Sequence, residues 1–218
     1  SRVRRQRQMC IRDSTEMAAK GREFSDVLAE AQALGYAEAD PTFDVDGTDA
    51  AQKLVLLSSL AFGARIDANA PFKQGVDSVA PADIGYAREL GYRIKHLGIA
   101  KREDDALQLR VHPTLIPEAK AIAQVDGVLN AVMINASAVG ELLLVGPGAG
   151  SRPTASAVMA DVVSVARSIA SGEQPSIHSM GVGFSAMSQL TIADINEVSS
   201  AWYCLLYTSD AADELSSV

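Results

Sequence analysis

The apolar positions of this chain follow one spacing in its first ninety residues and another after them. At 25–34, Val27, Leu28, Ala31 and Leu34 share one helical face, with Ser25 placed to cap the start and Gly35 to follow the end. A shorter helical piece at 17–20 precedes it across Gly21. Residues 35–47 read as a loop, because Pro41 and the Asp46-Gly47 pair forbid a long regular element. Thr48 or Asp49 then caps a helix that runs to about Phe62 and stops at Gly63. Leu54, Val55, Leu56, Leu57 and Leu60 make it apolar nearly all round, the pattern of a buried helix with Lys53 in its first turn. A short helix at 80–90 has Pro81 in its first turn and Gly91 after it.

Beyond residue 91 the pattern changes to strands. Segments 93–99, 106–111, 128–135 and 141–145 are rich in Ile, Val and Leu and bounded by Gly, Asp or Pro. A short helix at 118–123 separates the second from the third, and the turn Gly146-Pro147-Gly148-Ala149-Gly150 leads into a helix at 154–171. From Gly172 to Ser188 no period is legible, which reads as a linker or an extended arm. Helices, then strands with short crossovers, then a helix predict an α+β fold: a mixed β-sheet covered by helices.

Composition adds limits to this picture. The 218 residues suffice for one domain with a proper core, or two small ones. A hydrophobic content of 48% and a charged content of 21% are those of an ordinary globular protein. The net charge of −8 speaks against a broad nucleic-acid surface, so no nucleic-acid partner is expected. The longest uncharged apolar run, 54–64, is too short to span a bilayer, so no membrane partner is expected either.

Both ends look foreign to the rest. Residues 1–14 and 204–218 resemble translated sequencing adaptor and show no period that continues into their neighbours. A basic nucleic-acid arm or a transit peptide is the rival reading of the first. Setting both aside removes Cys10 and Cys204, leaving a body with no thiol for a disulfide or a metal. The expected location is the cytoplasm.

Candidate chemistry concentrates at 35–53, GYAEADPTFDVDGTDAAQK. It holds five carboxylates, Glu38, Asp40, Asp44, Asp46 and Asp49, and one cation, Lys53. A calcium loop fails on register. With Gly47 at the loop's sixth position, Thr42 stands at the first and Lys53 at the last, where carboxylates are needed. No metal is expected. Asp49 and Lys53 are four apart, so their side chains share a helical face. A solvated acidic loop remains the plain alternative to a functional site. The Gly146–Gly150 turn offers free N–H groups at a helix start, suited to a phosphate or a cofactor, although its glycine spacing is not the dinucleotide fingerprint. A tight packed turn explains it equally well. His96, His112 and His178 lack metal-ligand spacing and read as structural or surface residues. No G-x-S-x-G motif supports a serine hydrolase.

The stretch 35–53 closely resembles the signature of homoserine dehydrogenases: Gly-Tyr-x-Glu-x-Asp-Pro, x-x-Asp-x-x-Gly-x-Asp, then three residues and Lys. Further blocks follow the family in order. They are Thr15-Glu16-Met17, Phe24 with Ala31-Gln32, Ala87-x-Glu89-Leu90-Gly91 with Ile94-Lys95, Val128-x-Asn130-Ala131, and Gly148-Ala149-Gly150 with Pro153-Thr154-Ala155-Ser156-Ala157. The likeness covers about 15–203. It implies a catalytic domain similar to the C-terminal domain of glyceraldehyde-3-phosphate dehydrogenase (GAPDH) at 15–172, then a linker at 173–203 leading to a truncated ACT domain.

The resemblance also implies an activity, the NAD(P)-dependent interconversion of L-homoserine and L-aspartate 4-semialdehyde in threonine, methionine and isoleucine biosynthesis. Lys53 matches the proton donor and acceptor. Glu38 matches the carboxylate for the substrate's amino group, and Asp49 and Asp44 match further substrate-site carboxylates. Gly150 and Thr154 match positions beside the NADP or NAD cofactor. A homodimer is expected from the same likeness. The family's N-terminal dinucleotide-binding domain has no counterpart here, so the expectation is a fragment inactive by itself. Two other readings stay open: a non-catalytic amino-acid-binding module, and the dehydrogenase half of an aspartokinase fusion.

Overall fold

A computed structural model describes residues 2–6, 42–127, 129–148, 151–172, 181–201, 203 and 204. The expected helices at 17–20 and 25–34 lie outside the described residues, as do Glu38 and Gly150. The framework is two hairpins. β3 (Tyr92–Glu103) and β4 (Ala106–Pro117) pair antiparallel across a tight turn in which Asp104 takes a positive φ of 50°. β5 (Leu129–Ala136) and β6 (Gly140–Pro147) form the second. Between them lies β1 (Arg2–Gln6), antiparallel to β3 on one side and β5 on the other. β2 (Phe72–Lys73) and β7 (Thr191–Ile192) add two short parallel pairings to β4, so the sheet is mixed as expected.

Four α-helical segments accompany the sheet among the described residues. α2 (Thr48–Phe62) follows the single turn α1 (Thr42–Val45), α3 is Pro81–Glu89, and α4 is Ser151–Ser171. α2 forms because a run of helix-favouring Ala, Gln and Leu is closed by Gly63, whose αL geometry (φ 59°) lets its N–H bond to Ser59 O. It lies across β3 and β4. Ala51 and Leu54 join Ala100, Leu107, Leu109 and Val111 in one core cluster, and Leu54 rests over Gly98. Its burial stabilises the fold by about 2 kcal/mol. The other sheet face carries a second cluster of Leu97, Ile99, Ile116, Ile122, Ala123, Val125, Ala131 and Met133.

Several expectations change. α2 is not apolar all round in its surroundings: Leu56 and Leu60 are 61% and 51% exposed, because the sheet covers one side of the helix only. Within the expected loop at 35–47, Thr42–Val45 makes a helical turn. The helix expected at 118–123 is a 3₁₀ turn, Ala121–Gln124. No strand period was legible in 1–14, yet Arg2–Gln6 fills the gap between β3 and β5, whose unpaired edges supply the backbone partners. The segment after residue 180 is an arm that docks back on the sheet. Arg65 N bonds to Ser188 O at 2.9 Å, Ser188 N to Gly63 O at 2.9 Å and Ala193 N to Leu107 O at 3.1 Å.

Candidate functional site

The start of α2 brings together three of the charged residues singled out in the sequence, Asp46, Asp49 and Lys53. The chain enters it through Asp46 and Gly47, and Gly47 takes the αL conformation at φ 83°. Thr48 or Asp49 was expected to cap the helix; the N-cap is Gly47. Asp46 instead accepts hydrogen bonds from Thr48 N and Thr48 Oγ1, both at 2.8 Å, which pins the turn. Asp49 sits in the first helical turn, where its negative charge suits the positive end of the helix. Lys53 Nζ pairs with Asp49 Oδ2 at 2.6 Å. Lys53 is the sixth residue of α2, not a first-turn residue, and its side chain keeps 38% of its surface against 20% for Asp49. The ammonium is therefore held by a largely buried carboxylate while remaining open to solvent.

A second segment braces this helix start. Lys73 Nζ donates to Thr48 Oγ1 at 3.1 Å, and Val76 N donates to Val45 O at 3.1 Å. Gly75 is obligatory in this brace, since a Cβ there would stand 2.6 Å from Val45 O. Asp44 lies within α1.

Of the two expected cofactor residues only Thr154 is described, and it lies away from the start of α2. Thr154 is an exposed residue of α4, which follows β6 at the sheet edge, whereas α2 lies over β3 and β4. The first turn of α4 carries no acid and does carry Arg152, so its N-terminus suits an anionic group. Gly148 of the preceding turn packs on Asn130, whose Nδ2 would lie 1.6 Å from an added Cβ. No group of His, Cys, Asp and Glu suited to a metal occurs among the described residues.

Two charged clusters have no site reading in the sequence, where His112 is read as a structural or surface residue. On the face opposite α2, Lys95 is 3% exposed and donates to Asp126 Oδ1 at 2.7 Å and Val125 O at 2.9 Å. Arg93 joins Asp126 at 2.8 Å and Glu118 at 3.1 Å. Burial pushes the Lys95 ammonium below its usual range, and the bond to Asp126 opposes this only in part. Burial also acts to raise the Asp126 carboxyl, but Lys95 and then Arg93 outweigh it and hold the group below the usual carboxylate value. On β4, His112 Nδ1 donates to Pro113 O at 2.8 Å while Nε2 accepts from Arg110 Nε at 3.2 Å. Burial, first, keeps this ring neutral; the Pro113 bond opposes it and the Arg110 charge adds to it. Both clusters are satisfied internally and read as parts of the scaffold. Their signal in the sequence is only a charged residue inside an apolar strand pattern.

The sequence pattern of the homoserine dehydrogenase family matches residues 14–163. The homoserine dehydrogenase of Pseudomonas aeruginosa is 50% identical over 204 residues, which are 94% of this chain and 47% of that protein. A solved homoserine dehydrogenase from Thiobacillus denitrificans superposes with a TM-score of 0.85 at 45% identity, covering 90% of this chain and 46% of that one. A hyperthermophilic archaeal homoserine dehydrogenase solved in complex with NADPH matches at a TM-score of 0.62 and 27% identity, covering 75% and 46%. The chain spans about half the length of the curated relatives it matches.

Proposed function

Because the chain belongs to the homoserine dehydrogenase family, we propose that it is the substrate-binding and proton-transfer part of such an enzyme. The reaction is the NAD(P)-dependent interconversion of L-homoserine and L-aspartate 4-semialdehyde. The observation that carries this reading is the Lys53–Asp49 pair, 2.6 Å apart at the mouth of a helix rooted in the core.

Bound NAD(P) supplies the hydride donor or acceptor. The chain's own residues handle charge and proton. When the aldehyde is reduced, negative charge grows on the carbonyl oxygen, and the Lys53 ammonium stabilises that charge and gives it a proton. In the oxidation of L-homoserine the neutral amine of Lys53 takes the hydroxyl proton. Asp49 orients the Lys53 side chain and, with Glu38 and Asp44, supplies negative charge for the substrate's ammonium. The Gly150 backbone and the Thr154 hydroxyl would hold the cofactor. The acid-free start of α4 and the NADPH bound by the archaeal relative support that placement.

A homodimer in the cytoplasm completes the proposal. The apolar edge strand β6, where Leu142, Leu144 and Val145 are exposed, supports the first. For the second, no described helix is long and apolar enough to cross a membrane.

The test joins the chain to the portion of the Pseudomonas relative that it does not cover. Reduction of NAD(P) that depends on L-homoserine is expected from the joined protein and absent from the 218-residue chain alone. A well-folded joined protein without that activity would overturn the proposal. Sedimentation of the joined protein as a monomer would remove the dimer from it.

A further inference from the structure

His96 lies directly beneath the helix start that carries Asp49 and Lys53. It is on β3, 5% exposed, on the sheet face that α2 covers. Its Nε2 is 2.9 Å from Gln74 O. A carbonyl only accepts, so Nε2 carries the proton and donates. Gln74 N in turn donates to Val111 O at 2.8 Å, which ties this residue to β4 by its other backbone group. The imidazole edge also meets Gly47. A Cβ on that αL glycine would stand 3.3 Å from His96 Cε1 and 3.2 Å from Val111 Cγ1. One ring thus supports both strands of the brace: the N-cap of α2 and the 73–76 segment that reaches Thr48 and Val45.

We infer that His96 is a positioning residue for the Asp49–Lys53 pair, acting through Gly47 and the carbonyl of Gln74. The kinetic part of this inference rests on the proposed homoserine dehydrogenase reaction; the structural part does not. The imidazole does two things that an aliphatic side chain of similar size cannot combine. It fills the space under Gly47, and it donates a hydrogen bond to the carbonyl of Gln74. Loss of the donor frees the 73–76 segment, and the helix start that it braces loses one side of its support. Lys53 is then less well placed against the reacting oxygen, and a displacement of a fraction of an ångström is enough to slow a proton transfer.

The experiment compares His96→Leu with His96→Gln, whose amide keeps a donor. In the 218-residue chain alone, hydrogen exchange at the amides of 45–51 and 74–76 is read by NMR. His96→Leu is expected to speed exchange there roughly tenfold, with little change in β5 and β6, and His96→Gln to restore most of the protection. In the joined protein, well below its melting temperature, His96→Leu is expected to lower kcat at least roughly tenfold, and His96→Gln to recover most of it. If leucine prevents folding, His96→Asn replaces it, since the shorter amide does not reach Gln74. Unchanged exchange and unchanged kcat in the leucine variant would overturn the inference and leave His96 a plain core residue. A wild-type joined protein without activity would instead defeat the proposed reaction, and the exchange arm would still decide the role of His96.

Discussion

Helices α2 and α4 are built from the same kinds of residue, small and aliphatic, yet they have opposite surroundings. In α2, Ala51 and Leu54 are 1% and 0% exposed, against a sheet face that this chain itself supplies. In α4, no described residue is buried. Val158, Val162, Val165 and Ile169 recur at helical spacing along it and are 55%, 51%, 59% and 76% exposed. The Asp49–Lys53 pair stands on the covered helix; Thr154 stands on the uncovered one. The pair proposed for proton transfer therefore stands on a helix that the described chain packs by itself. The part proposed to hold the cofactor is not enclosed by it. A helix of 21 residues with no tertiary burial draws little stability from its surroundings.

Substitutions on the two helices and beneath them test that contrast. Leu54→Ala removes a fully buried side chain from between α2 and Gly98, and should cost about 3 kcal/mol in urea unfolding of the chain. Asp126→Asn, on the face opposite α2, should cost about 2 kcal/mol at neutral pH. It leaves the buried Lys95 without its carboxylate, and the figure is discounted because the Asp126 side chain is 42% exposed. The folded-state pKa of Asp126 is depressed. Its contribution is therefore fully present above the unfolded value, near 3.9, and is lost as pH falls through the lower folded value. The melting temperatures of wild type and Asp126→Asn should accordingly converge in acid, and a gap that widened there would refute the assignment.

Gly47→Ala places a Cβ in strained αL backbone within 3.2 Å of Val111, and should cost between about 1 and 2 kcal/mol by thermal denaturation. The smallest effect is expected on α4. Val162→Ala should change stability by no more than about 0.5 kcal/mol, because the side chain is 51% exposed. A cost close to that of Leu54→Ala would mean that α4 is covered in solution, and the contrast between the two helices would fall.

The covered half was the more legible in the sequence, for local reasons. Gly63 announced the end of α2, and the four-residue spacing announced the Asp49–Lys53 pair, because both are properties of a single helix. The hairpins showed in their Ile, Val and Leu content, but their lengths did not. β4 continues past the expected end at Val111 to Pro117, because β3 offers partners for each residue of that extension, Pro113 opposite His96 among them. The N-cap was misjudged because Asp46 spends its carboxylate on Thr48 two residues on, leaving Gly47 to make the turn. β1 was illegible. Three arginines in five residues carry no strand pattern, and their placement comes from two waiting sheet edges. The contacts of His96 beneath α2 were unreadable, since one of them is with the carbonyl of a residue 22 positions away.

The most direct test of the account is the effect of Lys53→Ala on L-homoserine oxidation by the joined protein, at saturating substrate and cofactor. If Lys53 is the proton donor and acceptor, kcat falls by about a thousandfold while the fold and the melting temperature stay near those of the parent. If kcat stays within a fewfold of the parent's, the proton moves through another group, and the pair at the start of α2 is structural.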